Sequence, residues 1–284
     1  AVNSDGTLNR ASMQSIAKPD EMNAVAAKHP ELVYCMDFNQ RTNPLYKKVK
    51  DLIDSGDLGE MTRVIWIVTD WYRSQSYYDQ GGWRATWDGE GGGVLLNQNP
   101  HNLDLWQWMC GIPKRVKSQV YYGKHRNIEV EDDLYALVEY ENGATGCYIT
   151  TVGDAPGTNR LEIDGTNGKI VVENNELTFY RLRIPEPEFN ATYKGGLGKP
   201  EVWECKIPIK GTYTSHPGII NNFCDCILKG AKPIAPGAEG IRGLQISNAI
   251  HLSSWLNGEW VNIPVDGELF LEKLQEHCKE PVTK

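Results

Sequence analysis

Several things are missing from this sequence, and each absence removes a class of function. There is no positive excess: 29 Lys and Arg stand against 37 Asp and Glu, a formal net charge of −8. Nothing here attracts a phosphate backbone, so nucleic acid is set aside as a partner. Long apolar runs are missing too, Val64–Val68 being typical of the longest. That is far short of the roughly 20 residues of a membrane-spanning helix, so no membrane partner is expected. No charged-then-apolar leader opens the chain. The seven cysteines are scattered and include no CxxC pair. Neither a zinc knuckle nor a disulfide framework is read, no metal is expected, and a reducing cytoplasm fits best.

The most telling absence is a glycine-rich strand-to-helix turn. The glycines of the first 60 residues are Gly6, Gly56 and Gly59. Gly195-Gly196-x-Gly198 follows a loop, and Gly237, Gly240 and Gly243 have no strand before them. A GxGxxG cradles a pyrophosphate only between a strand and a helix, and no Walker A sequence exists either. The chain by itself shows no recognisable nucleotide site.

What is there supports a folded core: 284 residues, 40% of them apolar, enough for one large domain or two small ones. Residues 1–14 are polar and aperiodic and read as a tail or stub. Ser15 resembles a helix cap, with Pro19 in the first turn and Met22, Val25 and Ala26 at helical spacing. Leu32–Phe38 has the length of a strand, and Pro44–Ile53 reads as a helix. This order predicts the last part of an α/β unit over 15–60. Met61–Asp70 is β-branched and predicts a strand. Trp71–Gly93 is a long aromatic loop of the kind that carries function. Asn99-Pro100 opens a helix that Gly111 stops. Strand-like runs follow at 116–122, 134–140, 145–151, 160–164, 169–173 and 177–182, separated by turns such as Asn142-Gly143 and Asn167-Gly168. They read as a meander. A loop is expected over 184–200, and helices at 218–228, 239–255 and 268–277. The fold class is α+β: a large, open, mostly antiparallel sheet with helices on one face, occupying 61–284, preceded by the α/β piece.

The densest chemistry lies in Gly91-Gly92-Gly93-Val-Leu-Leu-Asn97-Gln98-Asn99-Pro100-His101-Asn102-Leu103-Asp104. Glycines let backbone approach a ligand. Pro100 suits the first helical position, which puts His101 in the first turn, where the helix dipole disfavours an imidazolium. A neutral His101 could accept a proton. The plainer reading is a helix start with a capping Asn and an incidental His. Tyr72 with its neighbours Trp71 and Arg73, and the pair Tyr77-Tyr78, could form a platform for a sugar's C–H surface or an interface. Tyr213-x-x-His216 begins a helix and could reach the same cleft. His29, His125, His251 and His277 read as ordinary surface or helix residues.

GGGVLLNQNPHNLDLWQWMCG resembles the central signature of the Gfo/Idh/MocA oxidoreductases, the group of glucose–fructose oxidoreductase and inositol dehydrogenase. Phe38-Asn39-Gln40-Arg41, Gly56-Asp57-Leu58-Gly59-Glu60, Gly82-Trp83-Arg84 and Glu131-Asp132-Asp133 agree with it in order and spacing. The resemblance runs from about Ser15 to the C-terminus. It implies a Rossmann domain binding NAD or NADP, followed by a sheet domain that covers a carbohydrate or polyol substrate and makes a homo-oligomer contact. It implies a catalytic role for His101, with Asn97 where many members have Asp. It places Trp83 and Arg84 against the cofactor and Asn39 and Arg41 toward the substrate. Asp104, one turn beyond His101, is read as a substrate-side or supporting helix-surface group. The family's Glu-Lys-Pro lysine has no counterpart, because Ala17-Lys18-Pro19 falls inside a helix. The expected function is the substrate-binding portion of an NAD(P)-dependent sugar or polyol dehydrogenase, inactive without its Rossmann domain. The alternative is a non-catalytic carbohydrate-binding or oligomer-forming subunit.

Overall fold

The computed structural model describes residues 17–87 and 89–279; the expected tail over 1–14 and the Ser15 cap lie outside the described residues. Helix α1 spans Ala17–Ala26. A 3-10 turn over Asn39–Thr42 leads into α2, Pro44–Asp54, whose first turn is capped by the Asn43 side chain accepting the Leu45 N–H at 3.0 Å. Strand β1 is Met61–Val68. The long loop after it contains a short helix, α3, Gln75–Asp79. A π-type turn, Val94–Gln98, runs into the central helix α4, Pro100–Cys110, which ends at Gly111 with φ 81°. Then come β2 (Arg115–Tyr122), β3 (Glu131–Glu139), β4 (Thr145–Thr151), β5 (Asn159–Gly165), β6 (Gly168–Glu173), β7 (Glu176–Leu182), α5 (Glu186–Thr192), β8 (Val202–Lys206), α6 (Ser215–Lys229), α7 (Gly240–Trp255), β9 (Val261–Asn262) and α8 (Gly267–Lys279).

These strands make one nine-stranded sheet in the order β8-β7-β6-β5-β1-β4-β3-β2-β9. Neighbours are antiparallel except β1 and β4, which run parallel. The α+β expectation holds, but the simple meander is corrected. β4 and β5 are sequential and would pair in a meander; β1 lies between them instead. It is the most apolar strand, and the centre of the sheet buries its inner face completely: Val64, Trp66 and Val68 are all inaccessible.

Helices α4 and α7 cover that inner face. Trp66 stacks on Trp106 of α4, and both meet Tyr148 of β4 edge-on. Ile246, Ala249 and Ile250 of α7 join the same core. On β2, Ser118 donates its hydroxyl to the Ile250 carbonyl at 2.6 Å, and its N–H to Ser253 Oγ at 2.9 Å. The outer face is open. Ile65, Ile67, Cys147, Ile149, Tyr135 and Leu137 lie side by side across β1, β4 and β3, with Tyr135 and Leu137 about half exposed.

Three local expectations fail for physical reasons. Leu32–Phe38 is not a strand; it makes one bridge, Cys35 to Pro236, and leaves Leu32 exposed. The expected loop over 184–200 contains α5. Strand β8 escaped notice because it is an edge strand with four of five residues exposed, so burial imposes no alternation on its sequence.

Candidate active site at the start of the central helix

The glycine run works through one position. A Cβ on Gly93 would lie 2.1 Å from the Glu131 carbonyl oxygen, so only glycine fits there. The buried Glu131 carboxylate then accepts the N–H groups of Gly93 at 2.7 Å and Leu95 at 3.0 Å, fixing the start of the π-type turn. That turn carries the half-buried Asn97 and the buried Gln98 and runs on into α4.

Asn97 is half-buried and sits in a polar network. Its Nδ2 donates to Glu90 Oε1 at 2.5 Å. Its Oδ1 accepts from Tyr77 Oη at 3.2 Å and from Gln98 Nε2 at 2.6 Å. Tyr77 Oη in turn accepts from Arg84 Nη1 at 3.0 Å. The Arg84 guanidinium lies over the rings of Trp83, at 4.6 Å, and Tyr77, at 4.9 Å. Asn97 and Arg84, thirteen positions apart, are thus linked through Tyr77, with Trp83 against the Arg84 guanidinium. Glu90, which ties Asn97 to the Ala85 N–H, went unnoticed because nothing in its local pattern sets it apart.

His101 is the second residue of α4, with Pro100 at the first position. Its ring meets Phe38 edge-on, centroids 6.3 Å apart. Burial lowers its pKa below the usual histidine value; Asp104 and Asp37 oppose that, and His216 reinforces it. The ring is thus neutral at physiological pH, as expected, with burial rather than the helix dipole as the leading cause. Its Nδ1 is enclosed without a partner, which leaves Nε2 as the nitrogen toward solvent.

His216, on the first turn of α6, reaches the same region. Its Nδ1 is 2.8 Å from Asp37 Oδ2, and its Nε2 is 3.1 Å from Asn39 Nδ2. Because Asn39 Nδ2 is a donor, Nε2 accepts and Nδ1 carries the proton toward Asp37. Asn39 also donates to Ser215 Oγ at 3.1 Å. Tyr213 is exposed, its hydroxyl accepting from Gln40 Nε2 at 2.9 Å. Tyr72 is exposed as well, with the Arg126 guanidinium 5.0 Å from its ring centroid.

Two sequence candidates are corrected. Arg41 and Asp104 do not face a ligand. Each is 1% exposed, and they form a bidentate pair: Nε to Oδ2 at 2.9 Å and Nη2 to Oδ1 at 2.6 Å. Arg41 Nη1 donates to Glu239 at 2.6 Å and to the Ile234 carbonyl at 3.3 Å. Burial works against the Arg41 charge, and Asp104 and Glu239 more than restore it. The pair clamps the 3-10 turn and the segment before α7 onto α4. Asp104 was expected on the helix surface, but that side of α4 is covered. His251, read as an ordinary surface or helix residue, lies in helix α7 and is buried among Trp87, Tyr122 and Trp255, with Nε2 3.6 Å from Glu131 Oε2. Among the described residues, no group of three or more His, Cys, Asp or Glu could hold a metal ion.

Comparison with known proteins now has something to attach to. A family model, the GFO/IDH/MocA C-terminal domain, matches residues 46–171, which includes Asn97, His101 and the first five strands. Over that stretch the chain resembles the GFO/IDH/MocA oxidoreductases. YteT of Bacillus subtilis (strain 168), named as an oxidoreductase, is 23% identical over 49% of this chain and 47% of its own. The chain thus spans about half the length of that curated relative. Among solved structures, the WlbA dehydrogenase from Chromobacterium violaceum, in complex with NADH and UDP-GlcNAcA, is 27% identical with a TM-score of 0.71, covering 89% of this chain and 69% of that one. WlbA from Bordetella pertussis, in complex with the same two molecules, is 24% identical at a TM-score of 0.71 over 89% and 70%. A levoglucosan dehydrogenase in complex with NADH and levoglucosan is 20% identical at 0.69 over 88% and 70%. The last two likenesses speak to the fold.

Proposed function

We propose that this chain is the substrate-handling portion of an NAD-dependent dehydrogenase acting on a sugar or polyol hydroxyl. The observation that carries the reading is a neutral, half-buried His101 with Nε2 toward solvent, at the start of the helix that follows Asn97 and near His216 and Asp37. Oxidising an alcohol requires the hydroxyl proton to leave with the hydride. His101 takes that proton at Nε2, while Asn97, and Asn39 from the facing turn, orient hydroxyls as donors and acceptors. Asn97 cannot take a proton, so His101 acts without a carboxylate at that position.

The dinucleotide is the other half of the reaction, and the described residues do not fit it. None of them forms the strand–glycine turn–helix that would hold a pyrophosphate, so no step is routed through it here. Trp83 and Arg84 remain candidates for touching its nicotinamide end. A second reading is a carbohydrate-binding or oligomer-forming subunit without turnover. The apolar outer face of the sheet suits a contact with a second copy, which light scattering would show as a dimer or larger and a monodisperse monomer would contradict. No helix among the described residues is long and apolar enough to cross a membrane, and the six free thiols described suit the cytoplasm. The test is calorimetry and turnover together. NADH should give no micromolar binding to this chain alone. Sugar-dependent reduction of NAD should appear once a dinucleotide-binding domain is supplied; its absence then favours the second reading.

A further inference from the structure

We infer that the substrate of this site carries an anionic group, a carboxylate or a phosphate, received by Arg73 and Arg84 on either side of Tyr77. The inference rests on the sugar-site reading above and adds the chemical class of the ligand.

The Arg73 guanidinium lies 5.2 Å from the centroid of Tyr77 and 5.3 Å from that of Trp71. Arg84 lies 4.9 Å from the same Tyr77 centroid. Tyr77 donates its hydroxyl to Asn97, so the two arginines adjoin the proposed hydroxyl-orienting residue. Behind them, Arg126 donates Nε to the Arg73 carbonyl at 2.5 Å, Nη1 to the His125 carbonyl and Nη2 to the Val152 carbonyl. It braces the loop and adds a third positive charge.

These charges lack ordinary partners. No described carboxylate pairs with Arg73 or Arg126, and the Arg73 Nε is buried with no hydrogen bond at all. The Arg73 side chain makes one bond, from Nη1 to the Tyr72 carbonyl. The nearby acids are engaged elsewhere. Asp132 accepts the backbone N–H groups of Lys124, His125 and Arg126. Asp79 accepts from Gln75. Glu90 holds Asn97 and the Ala85 N–H, and approaches Arg84 only to 3.9 Å. In a chain with net charge −8, three neighbouring arginines with Glu90 as their one described carboxylate, at 3.9 Å from Arg84, make a place where an anion gains. A guanidinium's planar fork matches a carboxylate or phosphate edge, and its stacking on aromatic rings holds it ready for one.

The experiment follows tryptophan fluorescence, with Trp71 and Trp83 beside the arginines as reporters. D-glucose, D-glucuronate, D-glucose 6-phosphate and inorganic phosphate are titrated into the chain and into Arg73→Gln and Arg73→Lys variants, with folding checked by circular dichroism. The charged sugars should bind roughly tenfold or more tighter than glucose, as charge-assisted bonds imply. Arg73→Gln should remove most of that preference, and Arg73→Lys should keep part of it. Whichever charged sugar binds tighter assigns carboxylate or phosphate. Equal affinity for glucose and the charged sugars, or a preference indifferent to Arg73, overturns the inference while the sugar site stands. Arg73-dependent binding of inorganic phosphate without any sugar binding supports the anion site and removes the sugar reading. Binding of none of the four overturns both.

Discussion

Two polar clusters flank the start of α4, and they differ in what is left over. On one side Arg41, Asp104 and Glu239 form a closed unit: the two central residues are 1% exposed, and the guanidinium is bonded along both edges. On the other, Asn97, Tyr77, Arg84 and Arg73 form an open one, half-buried, with unpaired polar atoms at Arg73 Nε and Gln98 Oε1. Both are rich in charge, the first assembled from distant segments and the second from one stretch between Arg73 and Asn97. Complete pairing makes the first a joint between elements. Incomplete pairing keeps the second available to a ligand, because a buried polar atom without a partner is costly until something meets it.

Arg41→Ala should give the largest effect on stability. It strands Asp104 without its partner in the interior, a loss of about 3–5 kcal/mol in urea unfolding. Replacing both residues, as Arg41→Met with Asp104→Leu, should recover most of it. A single-variant loss below about 1 kcal/mol would mean that the clamp is not closed as described. Glu131→Gln comes next. It weakens the bonds to the Gly93 and Leu95 N–H groups and should cost about 1–3 kcal/mol. Because it loosens the turn that carries Asn97, it should also raise KM for the sugar. An unchanged KM would separate the turn from the site.

The smallest effect is a pH dependence. The folded-state pKa of His101 lies below the unfolded value of about 6.5. Between the two values the unfolded chain binds more protons, so stability is complete above about pH 6.5 and declines as pH falls toward the folded pKa. In His101→Gln that component should vanish from urea titrations between neutral and mildly acidic pH. An unaltered profile would show that His101 is not held neutral by burial.

The fold was largely legible because burial writes its period into sequence. β1 is so rich in β-branched residues that its strand could be read directly, and Asn142-Gly143 marked a turn without help from tertiary structure. The insertion of β1 between β4 and β5 was not legible, since strand order is decided by contacts between segments some 80 residues apart. In the site, His101 could be picked out because Pro100 and the glycines surround it. Arg41 and Asp104 could not be assigned correctly: an arginine two residues after Asn39 and an aspartate one turn after His101 look like site residues until the structure shows that they meet each other. Asp37 and His216 were missed as a pair for the same reason, being 179 positions apart.

The central claim is that His101 accepts the substrate's proton. The direct measurement is steady-state kinetics of His101→Ala against the parent enzyme, with a dinucleotide-binding domain supplied to both. Loss of a positioned base should lower kcat by about 100- to 10,000-fold. KM for the sugar should move far less, since Asn97, Asn39 and water still meet its hydroxyls. The parent's acid limb should fall below the usual histidine range and disappear in the variant. A kcat within about threefold of the parent would contradict the account, because it would show that the hydroxyl proton leaves by another route.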